Sequence, residues 1–150
     1  MQVKMNTLQE AADNLLIAGF SILPTKTDKT PAIPKWGELQ TRQMTSEHAE
    51  QVFKTAHGIA VVCGQISGGL ECIDFDSHNN DIAKVFNEWG SDSGITDIVN
   101  RNKVYVEKSK SGGYHVLYRY ESDTYQGSQK LAFWDDGSSM IETKGEGGYV

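Results

Sequence analysis

The chain has 150 residues, 38% hydrophobic and 23% charged, which suits one folded domain with one core and excludes a disordered or fibrous chain. A formal net charge of −6 excludes a general nucleic-acid coat, because non-specific binding rests on many Lys and Arg contacts to phosphate. No stretch approaches the ~18 apolar residues of a membrane helix, and the polar opening Met1 to Met5 lacks signal-peptide character, so one cytoplasmic domain over 1–150 with no membrane partner is expected.

Thr7-Leu8-Gln9-Glu10 is a capping-box pattern, and Leu8, Ala11, Ala12, Leu15 and Leu16 keep helical spacing up to Gly19, which is suited to end the helix. Residues 20–23 predict a short strand stopped by Pro24. From Thr25 to Met44 the periodicity disappears: Pro31 and Pro34 oppose regular structure, and Trp36 is the one strong anchor. Lys29, Lys35 and Trp36 in so long a loop are also candidates to touch nucleotide or template. A second helix is expected from Thr45 or Ser46 to about Ala56. Residues 58–63 and 70–76, around the turn material of 64–69, predict a β-hairpin. Cys63 and Cys72 frame that turn and are expected as two buried free thiols rather than a disulfide. Asn79 or Asn80 would cap a helix over 81–89, stopped by Gly90. Two more hairpins follow, 104–107 with 114–120 and 130–134 with 140–144, the last around an Asp-Gly turn. Early helices and later hairpins predict an α+β class with a largely antiparallel sheet.

The chemistry concentrates in Ile73-Asp74-Phe75-Asp76. Side chains alternate along a strand, so Asp74 and Asp76 share the face opposite Ile73 and Phe75. Two carboxylates so close repel unless a cation neutralises them, and oxygen ligands suit Mg²⁺ or Mn²⁺. By itself so short a pair more often marks a solvent-facing acidic turn. His115 and Arg119 share a face of the 114–120 strand, and Glu142 and Lys144 share one of the 140–144 strand. Acids, a histidine and a lysine on a common sheet face are what phosphoryl transfer uses, although ordinary amphipathic strands show the same alternation. Ser111-Gly112-Gly113 would let backbone N–H groups approach phosphate, or is a plain hairpin turn. His78 reads as a surface residue or a further metal neighbour. Arg101, Lys103, Lys108, Lys110 and Arg119 have only Glu107 among them as counter-charge, and that segment reads as a phosphate-contacting or a solvated face.

Taken in order, these elements resemble the primase–polymerase (prim-pol) family of the archaeo-eukaryotic primase superfamily, found in replication proteins of plasmids, phages and mobile elements. The resemblance is carried by Gly19-Phe20 leading to Leu23-Pro24, by Lys29 with Pro31 and Trp36, and by Gly58-Ile59 leading to Gly64. It continues through Ser67-Gly68-Gly69, Asp74-Phe75-Asp76, Ser111-Gly112-Gly113-Tyr114-His115, Glu142-Thr143-Lys144-Gly145 and Gly147-Gly148-Tyr149-Val150. It implies a primase-type α/β module joined to an RNA-recognition-like sheet that carries the acids. Asp74, Asp76 and Glu142 would be the catalytic, metal-binding acids. His115 would contact the incoming triphosphate, helped by Ser111, Gly112, Gly113, Lys144 and Arg119. The implied reaction is attack of a 3′-hydroxyl or an initiating nucleotide on an α-phosphate, with Mg²⁺ or Mn²⁺ as cofactor. NTP or dNTP, single-stranded DNA template and primer, and a helicase domain or protein are the implied partners.

Lys110 departs from the family, where a proline is common before the Ser-Gly-Gly turn. Val150 reads as the middle of a strand, and relatives continue beyond it, so a C-terminally truncated domain is expected. Two rival readings stay open. Asp74 with Glu142-x-Lys144 resembles the acid…E-x-K arrangement of a metal-dependent endonuclease. A non-catalytic nucleotide- or DNA-binding module would bind without turnover.

Overall fold

In the computed structural model, residues 7–150 are described, and the polar opening of the sequence lies outside them. Helix α1 (Leu8–Ile17) starts at the capping box: the Thr7 hydroxyl accepts from the Glu10 N–H at 3.2 Å, and the Glu10 carboxylate accepts from the Thr7 N–H at 3.1 Å. It ends in a Schellman motif, with Gly19 donating to the Leu16 carbonyl and Phe20 to the Leu15 carbonyl. Gly19 takes φ 86° there, a left-handed conformation that side chains resist.

Strand β1 (Ile22–Thr25) runs through Pro24 instead of stopping before it. The carbonyls of Ser21 and Thr25 face the next strand, whereas that of Pro24 points away and accepts from Ala32 at 2.8 Å. The proline nitrogen therefore also points away, and its missing N–H removes nothing from the ladder. The loop beyond holds a 3-10 turn, Trp36–Gln40. Helix α2 (Ser46–Val52) is capped by Thr45 and ends earlier than its expected limit at Ala56, giving way to the buried Phe53.

The largest departure from the sequence expectation is at strand β2 (Gly58–Val61). It does not form a hairpin with strand β3 (Leu70–Phe75). It pairs with β1 instead, Ile22 opposite Val61 and Pro24 opposite Ile59. Its other edge is taken by the last residues: Val61 donates to Val150 at 2.7 Å, Val150 donates back at 3.1 Å, and Cys63 donates to Gly148 at 2.9 Å. With both edges of β2 occupied, only an isolated bridge between Gly64 and Leu70 survives of the predicted hairpin.

Strand β3 instead enters the middle of a five-stranded sheet with β4 (Tyr105–Lys108), β5 (Tyr114–Arg119), β6 (Lys130–Phe133) and β7 (Ser139–Lys144), in the order β4-β5-β3-β7-β6. Every pair is antiparallel, and the α+β expectation holds. Helix α3 (Ile82–Gly90) is capped by Asp81, not by Asn79 or Asn80; Asn79 adopts φ 66° in the preceding turn. Helix α4 (Ser93–Arg101), capped by Asp92, has no counterpart in the sequence reading, because Gly94 and its Ile, Thr and Val residues are weak helix formers.

One core lies between α1, α2 and the small sheet, around Ala12, Ile22, Leu23, Ala49, Phe53 and Val62. The second lies behind the large sheet, where Phe75 meets Phe86 and Trp89 edge-on at 5.1 and 5.2 Å and Phe86 stacks on Tyr114 at 4.2 Å. Cys63 and Cys72 are both free and fully buried. Burial raises both thiol pKa values, that of Cys63 to about 12. A disulfide-forming thiol reagent at mildly alkaline pH should therefore leave both unmodified in the native protein and titrate both after unfolding in denaturant; rapid native labelling would contradict this packing.

Candidate active site

Residues directly opposite each other on antiparallel strands present their side chains on the same face. Because β3 lies between β5 and β7, Asp74 stands opposite His115 on one side and Glu142 on the other. His115 in turn stands opposite Glu107, and Glu142 opposite Lys130. One row across the sheet therefore reads Glu107, His115, Asp74, Glu142, Lys130. The next row carries Tyr105, Leu117, Cys72 and Lys144.

Ionic contacts bind the row together. His115 Nδ1 lies 2.8 Å from Glu107 Oε1, and His115 Nε2 lies 3.5 Å from Asp74 Oδ1. A carboxylate only accepts, so Nδ1 donates to Glu107 and the ring plane is set. The Lys144 ammonium donates to Glu142 and lies 3.9 Å from Asp74 Oδ2. The Asp74 side chain is only 18% exposed. Burial raises its pKa, as do the charges of Asp76 and Glu142, while His115 and Lys144 oppose the rise. Burial works against the Lys144 ammonium, but its hydrogen bond to Glu142 and the charges of Glu142 and Asp74 outweigh that and raise its pKa.

The structure thus brings Asp74, His115, Glu142 and Lys144 together. Asp76 sits at the rim, just beyond the strand, with His78 Nε2 3.3 Å from its Oδ2. Its main chain is pinned: its N–H donates to Met140, and its carbonyl accepts from the Trp134 indole at 3.0 Å. Arg119 lies at the other end of β5, opposite Leu70, with its guanidinium over the Phe20 ring at 4.4 Å. In the Ser-Gly-Gly turn, Gly112 donates to the Ser109 carbonyl and Gly113 to the Ser109 hydroxyl, so those two N–H groups are used within the turn. Gly113 is required sterically, since a Cβ there would lie 2.2 Å from the Phe75 carbonyl. Glu107 was legible only as a counter-charge; the expected hairpin of 104–107 with 114–120 gave its partner strand, and the register that sets it opposite His115 comes from the structure. Among the described residues, no three His, Cys, Asp or Glu side chains are grouped to enclose a metal ion.

Residues 12–150 match the family described as bifunctional DNA primase/polymerase, N-terminal. The chain belongs to the prim-pol family. No curated protein sequence matches it. The family match runs through both the small-sheet module and the large sheet, so the row of ionic residues lies inside a prim-pol domain. Among the described residues no helix is long and apolar enough to cross a membrane.

The raised pKa of Asp74 has a consequence for this prim-pol domain's stability. A carboxyl that holds its proton more tightly when folded favours the fold below its ordinary value of 3.8, and that contribution is lost as pH rises through the folded value. At neutral pH the buried charge of Asp74 therefore opposes folding. Asp74→Asn should melt at the same temperature or a few degrees higher at neutral pH, on the usual ~1 kcal/mol scale of such changes. That advantage should shrink on acidification towards the ordinary carboxylate value. A variant clearly less stable than the parent at neutral pH would contradict this reading.

Proposed function

We propose that this prim-pol chain is a template-directed nucleotidyltransferase, a DNA primase/polymerase, that joins NTP or dNTP to a primer or initiating nucleotide on single-stranded DNA. One observation carries the reading: in a chain of this family, the half-buried Asp74 is flanked in register by the cationic-capable His115 and by the acid Glu142. Residues 1–150 act in this reading as one catalytic domain of a cytoplasmic replication protein, alongside a helicase domain or protein.

The donor set fits Mg²⁺ or Mn²⁺ in kind. Asp74, Glu142 and Asp76 offer only hard oxygen ligands, and the burial of Asp74 makes its charge costly without a counter-cation. When bound, such a cation would lower the pKa of the attacking hydroxyl and neutralise charge on the transferring phosphoryl group. The remaining work belongs to the chain itself. Lys144 now neutralises Glu142 and Asp74, and in this reading it re-pairs with the triphosphate once the acids are engaged. His115, fixed through Nδ1 by Glu107, keeps Nε2 directed at the face where the polyphosphate would lie. The Ser111, Gly112 and Gly113 turn and Arg119 would border the nucleotide from the two ends of β5.

Two measurements test this. Mn²⁺ binding, followed by calorimetry or paramagnetic broadening, should disappear in the Asp74→Asn/Asp76→Asn double variant; unchanged binding would end the two-aspartate site. His115→Ala should weaken nucleotide binding by about 1.5–3 kcal/mol, the range for a hydrogen bond to a charged group, and largely spare metal binding. Equal nucleotide affinity in parent and variant would return His115 to a structural role. The ion pairs of Lys144 with Asp74 and Glu142 are also what the endonuclease reading requires. That reading differs in demanding nicking of plasmid DNA in Mg²⁺ without nucleotides.

A further inference from the structure

Asp74 is fixed by its place within β3, but Asp76 lies one residue past the end of that strand. The ladder of β3 with β7 closes at Phe75, opposite Ile141. Asp76 adds half of one further rung, its N–H donating to the Met140 carbonyl at 2.9 Å. A hydrogen-bonded antiparallel pair exchanges two such bonds. Among the described residues the return bond, from the Met140 N–H to the Asp76 carbonyl, is not formed. Trp134 supplies the donor instead: its indole N–H reaches the Asp76 carbonyl at 3.0 Å.

Nothing beyond Asp76 continues the strand. The chain turns within two residues, and His78 and Asn79 take φ 40° and 66°, left-handed values that side chains resist. A carboxylate at such a corner keeps to the face of Asp74 only while its own backbone stays extended. The bonds from Met140 and Trp134 hold Asp76 on both sides of its Cα. The indole is itself well seated. Its ring packs on the core of Phe75, Ile82 and Val116, and its main chain is closed into the β6–β7 turn by bonds of 2.9 Å to Ser138 and from Gly137. A core role alone would need the ring but not its N–H, and the indole nitrogen can only donate.

The geometry points to Trp134 as the positioning residue of Asp76: its indole N–H keeps the second aspartate in line with β3, so that both carboxylates meet one cation. The hold on the main chain stands on the bonds themselves; its use in cation binding rests on the proposed function. Trp134 acts through Asp76 alone, and the β6–β7 hairpin thereby sets the rim of the site as well as carrying Glu142.

Trp134→Phe keeps an aromatic ring in the core and removes the donor. In the metal-free protein, hydrogen exchange followed by NMR should show the Asp76 amide exchanging about fivefold faster, with the β5 amides at parent rates. Calorimetry should show Mn²⁺ binding weakened by about tenfold, the lower end of the cost of losing an outer hydrogen bond at a metal ligand. In an Asp76→Asn background the same substitution should change Mn²⁺ affinity by less than about twofold, because the residue it acts through is gone. An equal loss in both backgrounds overturns the inference, since Trp134 would then act through the fold at large. So does parent-like Mn²⁺ affinity in Trp134→Phe when Asp74→Asn/Asp76→Asn abolishes binding; the functional reading survives that result. If the parent binds no Mn²⁺, or the double variant binds as the parent does, the functional reading fails, and exchange at Asp76 alone decides whether Trp134 holds it. Should Trp134→Phe not fold, benzothienylalanine in place of Trp134, with sulfur where the N–H stands, gives the same readouts.

Discussion

Register in the central strand governs everything at the site. β3 is held on both sides, by β5 and by β7, and it alternates between a packed face and an ionic one. A slip of one residue would send Asp74 to where Phe75 now packs against Phe86 and Trp89. It would also carry Phe75 to the ionic face. The full burial of Phe75 therefore does double duty, stabilising the core behind the sheet and fixing which side chain meets His115 and Glu142. The Trp134 indole and the Met140 carbonyl hold the strand's end in the same register.

Charge balance is the second constraint. Placing Asp74, Glu142 and Glu107 on one face concentrates like charges, and the low exposure of Asp74 deepens the cost. His115 between Glu107 and Asp74, and Lys144 between Asp74 and Glu142, offset it, so the adjacent acids Asp74 and Glu142 share the Lys144 ammonium. These are partly buried pairs with defined partners, unlike the exposed i,i+4 pairs of Arg42 with Glu38 or Lys84 with Glu88, which contribute little. The same arrangement makes Lys144 the residue most affected when a ligand arrives, because any cation drawn to Asp74 and Glu142 competes with its ammonium.

The small-sheet module is tied to the large sheet through the end of the chain. Residues 148–150 pair with β2, Tyr149 meets Trp36 at 5.3 Å, the Gln40 side chain donates to the Gly147 carbonyl at 3.0 Å, and Glu146 accepts from the Gln65 N–H at 2.7 Å. Those residues directly follow β7, which carries Glu142 and Lys144. Through these bonds the N-terminal core helps position the strand that carries Glu142 and Lys144.

Local chemistry was legible in the amino-acid order. The capping box at Thr7, the stop at Gly19, the hairpin pairings of β4 with β5 and of β6 with β7, the alternation that puts Asp74 opposite in face to Phe75, and the prim-pol motifs all depend on near neighbours. The tertiary structure alone decided who meets whom over distance. Nothing within residues 58–76 announces that β2 is claimed by β1 and by residues 148–150, which leaves β3 to insert between β5 and β7. Glu107 joins the row of Asp74 only because β5, its hairpin partner, lands beside β3, and Arg119, opposite Leu70 at the far end of β5, lies over the Phe20 ring away from that row. Strand periodicity reports which face a side chain takes, while pairing between distant strands is settled by competition for unpaired edges, and that competition involves the whole chain at once.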